Sequence, residues 1–490
     1  VIAGGLEASL RRLSHYDYLS DTVRKPIIVD AKADLVVYGM AERAIVEVAA
    51  RLKAQAAANA DPWQSAAPGT ELPRPGLGVG RPGTELPRPE TGVDRAGTEL
   101  PDQGAGVAGP AAGVAGPGTE LAGGVAVPAG HPGHGSDTAV LRGIPGTVWR
   151  TSRAEEVPAD ALVLPSHDEV AADPALFAES FSVQYRNTDP GTARRLCEKA
   201  AGQFVVQEPP APPLSPLQLD RVYALPFMRA WHPVYDAHGG VPALAEVSFS
   251  ITSSRGCYGA CAFCALAFHQ GRIVSGRSKQ SIVDEARKLV AMPGFKGYIH
   301  DKGGPTANFR GPACRRQAGG SACVDRRCLV PEPCPSLEVS HRDYLDVLRA
   351  VRALPGVKKA FVRSGIRFDY VMADPDPTFL EELALHHVSG QLKVAPEHVS
   401  DRVLGYMGKP RHGVYTEFAR RWSDINRRHG LKQFLVPYFI ASHPGSDLAD
   451  AVQLAEYLRD AGFVPDQVQD FYPTPGTLAT AMYQIGRAVG

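Results

Sequence analysis

From Val247 to the end of the chain, short runs rich in β-branched and aromatic residues alternate with longer amphipathic ones. Strand candidates lie at 247 to 253, 295 to 300, 358 to 364, 391 to 395, 433 to 441 and 466 to 472. Helix candidates fill the gaps at 280 to 291, 340 to 353, 376 to 388, 413 to 429 and 447 to 461. Strands joined through helices pair in parallel, so six such units predict a parallel sheet curled into a barrel or partial barrel. In that architecture the reactive groups sit on loops leaving the C-terminal ends of the strands.

The loop after the first of these strands reads Arg255-Gly-Cys-Tyr-Gly-Ala-Cys-Ala-Phe-Cys264, which places Cys257, Cys261 and Cys264 in the order C-x-x-x-C-x-x-C. With 8 cysteines among 490 residues, independent placement would give this spacing in about 2 chains per 1000. Three thiolates on one short loop leave one iron of a four-iron, four-sulfur cluster open to a ligand other than protein. Zinc normally takes a fourth protein ligand close by, and a zinc knuckle or three buried thiols is the plainer alternative. Gly256 and Gly259 let the loop fold tightly, and Arg255 is placed to set a positive charge near an anionic cluster.

These cysteines, with Phe263 before the last of them, resemble the signature of the radical S-adenosylmethionine (SAM) superfamily. Ser250-Ile-Thr-Ser-Ser-Arg-Gly-Cys257, Lys302-Gly-Gly-Pro-Thr306, Lys393-Val-Ala-Pro-Glu-His398 and Pro437-Tyr-Phe-Ile-Ala-Ser-His-Pro-Gly445 resemble the YgiQ-type members more narrowly. The resemblance runs from about Gly4 to the last residue, broken by one long insertion. It implies a (β/α)6 partial barrel of the TIM type, a 4Fe–4S cluster on Cys257, Cys261 and Cys264, and SAM bound at the open iron. It also implies an electron donor such as flavodoxin or ferredoxin, and no particular substrate. Asp301-Lys-Gly-Gly-Pro-Thr306 occupies the place of the superfamily's Gly-Gly-Glu motif, so Gly303 and Gly304 are expected at the SAM amino group. Pro305 stands where an acidic residue is common, which leaves that contact to backbone carbonyls. Lys393 is expected at the SAM carboxylate, Glu397 at the ribose hydroxyls, and Arg363 and Ser364 facing the same cavity.

Cys314, Cys323, Cys328 and Cys334 form a second group in the loop after the second strand. They suggest an additional iron-sulfur cluster or structural zinc, or else reduced thiols without metal. The surrounding Arg310, Arg315, Arg316, Arg326 and Arg327 are expected to lower the thiol pKa values or to meet an anionic partner. Cys197 stands alone and reads as structural, and His398 and His443 are placed to line a substrate cavity.

Upstream of the barrel, residues 1 to 55 read as α/β material, with helices at Leu6–Leu13 and Glu42–Lys53 around a strand at Leu35–Tyr38. By resemblance this is the C-terminal part of a Rossmann-like, cobalamin-binding-like domain; no D-x-H-x-x-G ligand pattern is visible in it, and a structural half-domain closing against the barrel is expected. The chain opens at Val1 within an apparent strand end, so an upstream part is expected to be missing. Residues 56 to 135 turn to Gly, Pro, Ala, Thr and Glu, with Gly-Thr-Glu-Leu recurring from Gly69, Gly83, Gly97 and Gly118. Pro and Gly in the repeats exclude a coiled coil, and the segment reads as a disordered insertion. Residues 136 to 245, with a helix candidate at 189 to 199, are expected to be a partly extended connector, and 246 to 490 the radical SAM core.

Lys+Arg and Asp+Glu both number 52, so no overall field draws the chain to nucleic acid or an anionic membrane. No apolar run is long enough to span a membrane, and clustered cysteines fit metal ligation in a reducing compartment; the expected location is the cytoplasm. The chain therefore reads as an enzyme. A zinc-stabilised binding protein and an iron-sulfur electron carrier or redox sensor are the alternatives.

Overall fold

The computed structural model describes residues 1–59, 138–462, 464–465 and 468–486. Seven parallel strand segments occupy six successive positions in the second half, Tyr298–Ile299 and Asp301–Gly303 sharing one of them. Ser250–Thr252 pairs with Asp301–Gly303, and Tyr298–Ile299 pairs with Lys359–Ala360. A parallel bridge from Ile366 to Val394 leads to Gln391–Glu397, which pairs with Phe434–Ala441, and that strand pairs with Val468–Asp470. The expected partial barrel is therefore present, in the expected order.

Its helices bury the stripes that their sequences announce. Lys279–Val290 buries Ile282, Val283, Ala286 and Leu289, and Ser278 caps its first turn by accepting the Ser281 amide at 3.1 Å. His412–His429 buries Tyr415, Phe418, Trp422 and Ile425. These spacings of three, four and three residues keep side chains on one face of a helix, and here that face meets Phe368, Leu383 and Leu392 in the barrel's largest apolar cluster. The candidate at 376 to 388 divides into Thr378–Glu382 and one π-helical turn, Leu383–His387.

The region before the barrel differs from expectation. Residues 136 to 245 do not run as an extended connector. They add Thr147–Thr151, Leu162–Val163, Leu196–Ala200 and Gln203–Gln207 to a six-stranded mixed sheet that starts with Ile2–Ala3 and Leu35–Val37. Alternate residues enter cores on opposite faces: Val36, Val148 and Val205 on one side, and Leu35, Val37, Trp149, Cys197 and Val206 on the other. The helix proposed at 189 to 199 is instead a loop followed by a strand. Ala201 (φ 50°) and Gly202 (φ 74°) make a two-residue turn with both residues left-handed, and this turn folds Leu196–Ala200 back on Gln203–Gln207. In that strand Glu198 is buried and accepts the Ser14 amide at 2.9 Å. Cys197 lies in the core, in keeping with a structural role.

The helix expected to end at Lys53 continues to Asn59. The remainder of the repeat segment, 60 to 135, lies outside the described residues. The chain on either side of it is tied together, because Arg51 donates to the carbonyls of Val140 (3.1 Å) and Arg142 (2.8 Å). Replacing residues 60 to 130 with a short Gly/Ser linker is therefore expected to leave far-UV circular dichroism and the thermal midpoint close to those of the full chain. A large loss of folded protein would contradict this.

Candidate functional site

The cysteine loop is closed at its base by a small antiparallel ladder in which Ser254–Arg255 pairs with Ser275–Gly276. Gly256 has φ 81°, and a Cβ there would lie 2.2 Å from the Ile273 carbonyl oxygen, so only glycine lets the loop turn at this point. The Cys257 amide donates to Gly271 (3.1 Å), that of Ala262 to Met407 (2.8 Å) and that of Cys264 to Cys261 (3.1 Å). The three cysteines are thus fixed by backbone bonds that do not depend on a ligand.

Two groups that the sequence reading did not single out reach the sulfurs. Arg367 Nη1 donates to Cys261 Sγ at 3.4 Å, and Thr306 Oγ1 lies 3.4 Å from Cys257 Sγ. Gly259 makes the first contact possible, since a Cβ there would stand 2.4 Å from Arg367 Nη1. Arg255, the expected cation, turns away and pairs with Glu42. Its ladder position aims it at the N-terminal region, whereas Arg367, after the third strand, crosses the mouth of the barrel. A buried Arg-x-Asp pair, Arg367 with Asp369 (Nε to Oδ1 2.8 Å), is the signal in the sequence that would have found it.

Burial raises the Cys257 thiol and pushes that of Cys264 up to about 12, while Thr306 and Arg367 oppose the rise at Cys257. Thiolates in this loop therefore need a cation to form. The donor set fits a site-differentiated iron-sulfur cluster: a buried thiol at Cys257, half-buried thiols at Cys261 and Cys264, donors directed at sulfur, and a cavity nearby. Among the described residues no three His, Cys, Asp or Glu side chains converge as they would around a single ion.

A cavity of about 680 Å³ lies beside the segments that flank the cysteine loop and is lined there by Ser254, Arg255, Leu266 and Gln270. Gly303, Gly304, Arg363, Ser364 and Lys393 line it as well, so five of the six residues expected at SAM come together. Asp301 holds the second and third strand ends in register, accepting the amides of Arg363 (2.8 Å) and Ser364 (3.1 Å). A Cβ on Gly303 would meet Ser364 Oγ at 2.2 Å, and one on Gly304 would meet Ser254 Oγ at 2.7 Å. The Gly303 carbonyl, a candidate ligand contact, already accepts from Ser253 N at 2.7 Å. Lys302 points the other way: its Nζ is buried 3.5 Å from the centre of the Tyr344 ring. Ser254 Oγ is buried at the cavity wall without a hydrogen-bond partner.

Glu397 does not line this cavity. It follows a register shift in its strand, adopts φ 69°, and faces Lys409 at 3.7 Å on the Cys264 side of the loop. Burial raises its carboxyl despite Lys409 and Arg367. His398 accepts the Ser400 amide at 3.0 Å, and His443 is buried edge-on to Phe263 and Phe471, with Nε2 unpartnered.

In the second cysteine group, burial pushes the Cys328 thiol up to about 11, the reverse of the expected effect of the surrounding arginines. Arg310 is occupied elsewhere, with Asp343 (2.9 Å) and the carbonyls of Ser253 (2.9 Å) and Arg277 (2.8 Å). The guanidinium that opposes the rise belongs to Arg272.

Burial alone would raise the Asp369 carboxyl, but the Arg367 charge and hydrogen bonds, with Lys409, hold it below the usual range. Arg367→Gln is therefore expected to cost about 3–5 kcal/mol by leaving a buried carboxylate unpaired. In that variant the folded-state pKa of Asp369 rises above its unfolded value, so the penalty is larger at pH 7 than at about pH 4. Urea unfolding at the two pH values checks both the size and the sign.

A family model described as Radical SAM N-terminal matches residues 1–67 and 129–250. A UPF0313 protein of Clostridium perfringens (strain ATCC 13124) is 46% identical over 486 residues, covering 99% of this chain and 61% of that protein. One of Clostridium botulinum (strain ATCC 19397) is 42% identical over 486 residues, covering 99% and 63%. The chain spans about three fifths of the length of the curated relatives it matches. Among solved structures, the cobalamin-dependent S-adenosylmethionine radical enzyme OxsB with aqua-cobalamin bound aligns over 49% of this chain and 31% of its own, at 17% identity and a TM-score of 0.30. That score is too low for any detail to carry over. The relatives match over nearly the whole of this chain and the family model over its N-terminal part, so the chain is similar to UPF0313 proteins and, in that part, to radical SAM proteins.

Proposed function

We propose that this chain is a radical SAM enzyme, with Cys257, Cys261 and Cys264 holding a 4Fe–4S cluster and the adjoining cavity holding SAM. The observation that carries the reading is adjacency: the cavity lined by Gly303, Gly304, Arg363, Ser364 and Lys393 also takes in Ser254 and Arg255, where the cysteine loop leaves the first strand. When bound, the cluster and SAM supply an electron and a 5′-deoxyadenosyl radical able to abstract hydrogen from a substrate.

The chain's own residues bind and orient. Lys393 supplies a cation for the SAM carboxylate, and Arg363 and Ser364 stand beside it on the next strand. Gly303 and Gly304 keep the strand end free of side chains, so that a ligand can lie against backbone. Arg367 sets its charge at Cys261, and the surrounding apolar side chains exclude water from the loop. An electron donor of the flavodoxin or ferredoxin class and a substrate of unassigned class complete the set of partners. Among the described residues no helix is long and apolar enough to cross a membrane. The zinc-stabilised binding protein and the electron carrier leave this cavity without a role.

Anaerobic reconstitution followed by electron paramagnetic resonance of the reduced protein tests the reading. A signal that shifts when SAM is added is expected, and zinc alone or a cluster blind to SAM would refute it. Cys261→Ala is expected to lose the cluster, read as iron content. Lys393→Ala is expected to keep its iron but to weaken SAM about 10- to 100-fold, the loss of one charge-assisted hydrogen bond, read by equilibrium dialysis.

A further inference from the structure

We propose that Cys314, Cys323, Cys328 and Cys334 hold a second iron-sulfur cluster, closed by four protein thiolates, through which electrons reach the first loop. The segment from Gly304 to His341 joins the second strand to the next long helix and contains one short helix, Arg315–Ala318. A loop of this length with so little regular structure is uncommon in a compact domain unless it serves a function. It is nevertheless folded inward, with Ala313, Ala322, Leu329 and Val330 buried. A metal centre on the loop's four cysteines would add a cross-link to these contacts, and the eight cysteines are all free thiols.

Cys314, Cys323 and Cys334 each lie near enough to Cys328 to act on its charge. The backbone and side chains around them are preset. The Cys334 amide donates to the Cys328 carbonyl at 2.9 Å. Gln317 accepts the Ala313 amide at 2.9 Å and directs Nε2 at Cys328 Sγ, 3.7 Å away. An N–H directed at sulfur is the contact that tunes an iron-sulfur centre. Two clamps from outside the loop pin it: Asp189 accepts Ser321 Oγ (2.8 Å) and the Ala322 amide (2.7 Å), and Arg272 donates to the Cys323 carbonyl (2.6 Å). The thiols do not converge on one point as tetrahedral zinc requires, with each sulfur about 2.3 Å from the metal. A four-iron cube takes one thiolate per iron and keeps them apart.

Cys328 packs against the apolar cluster that contains Cys257, Tyr258 and Phe309. The Tyr258 ring stacks on Phe309 with centroids 3.7 Å apart, so an aromatic pair lies between the two cysteine groups. One electron from a low-potential flavodoxin- or ferredoxin-class donor reduces the second cluster and passes to the first, returning the second to its oxidised form. This relay rests on the reading of the first loop; the second site does not.

The test is anaerobic reconstitution of the full chain with iron and sulfide, followed by metal counts and electron paramagnetic resonance. The Cys257→Ala/Cys261→Ala/Cys264→Ala variant is expected to retain about four irons and four sulfides in a centre indifferent to SAM. Cys323→Ser/Cys328→Ser is expected to retain about four irons and the SAM-responsive signal. The fully reduced wild type is expected to show signals broadened by coupling between two spins, a broadening that both variants lose. A triple variant without iron, or one holding only zinc, overturns the second site, and two clusters without broadening overturn the relay. If Cys323→Ser/Cys328→Ser does not fold, the triple variant, which leaves that loop intact, decides alone. A wild type blind to SAM beside an iron-retaining triple variant would refute the proposed function while leaving this site standing.

Discussion

Desolvation of the cysteine loop is the constraint around which the rest of the site is arranged. Burial raises the Cys257 and Cys264 thiols, so a thiolate in this loop requires positive charge beside it inside the barrel. Arg367 supplies it, but a guanidinium alone in that position would be as costly as the thiolates it serves. Asp369 pairs with it, and Lys409 adds its charge to Asp369 and Glu397. The resulting network crosses from the third strand to the fourth and onward to the helices behind them. Gly259 belongs to the same arrangement, because its missing side chain is the space that the guanidinium occupies.

A second consequence follows from parallel topology. Every strand of the barrel ends on the same side, so loops far apart in sequence are forced to share one rim. Asp301 locks two of these ends together through the amides of Arg363 and Ser364 and the Ser364 hydroxyl, which holds the cavity wall at both residues. The same strand feeds the long cysteine-rich loop, so the cavity and the second thiol group hang from opposite sides of one element. The N-terminal sheet takes part as well: Glu42 engages Arg255, and Asp189 clamps Ser321 and Ala322. These contacts link the mixed sheet to the rim on which the chemistry depends.

Much of this was legible in the residues. Helices such as 412 to 429 and 279 to 290 bury continuous stripes, and burial follows directly from that period. The strands of the barrel stood out because β-branched runs separated by helices leave few other topologies. The N-terminal sheet was less readable. Its strands are short, one of its pairings, Leu35–Val37 with Thr147–Thr151, crosses the repeat segment, and Leu196–Ala200 becomes a strand only because the left-handed pair Ala201 and Gly202 turns it into a hairpin. In the site, five residues expected at SAM share one cavity, while Glu397 lies apart because a register shift in its strand redirects it toward Lys409.

The sequence by itself determined the spacing of the three cysteines, the alternation that forces a parallel barrel, and the glycines at the strand end, because each is a local pattern whose chemistry is set within a few residues. Tertiary structure alone decided which cation reaches the thiols, which of the polar groups face the cavity, and that Cys314, Cys323 and Cys334 come near Cys328. Those are contacts between segments far apart in the chain, and their geometry is set by how sheet, loops and barrel pack together.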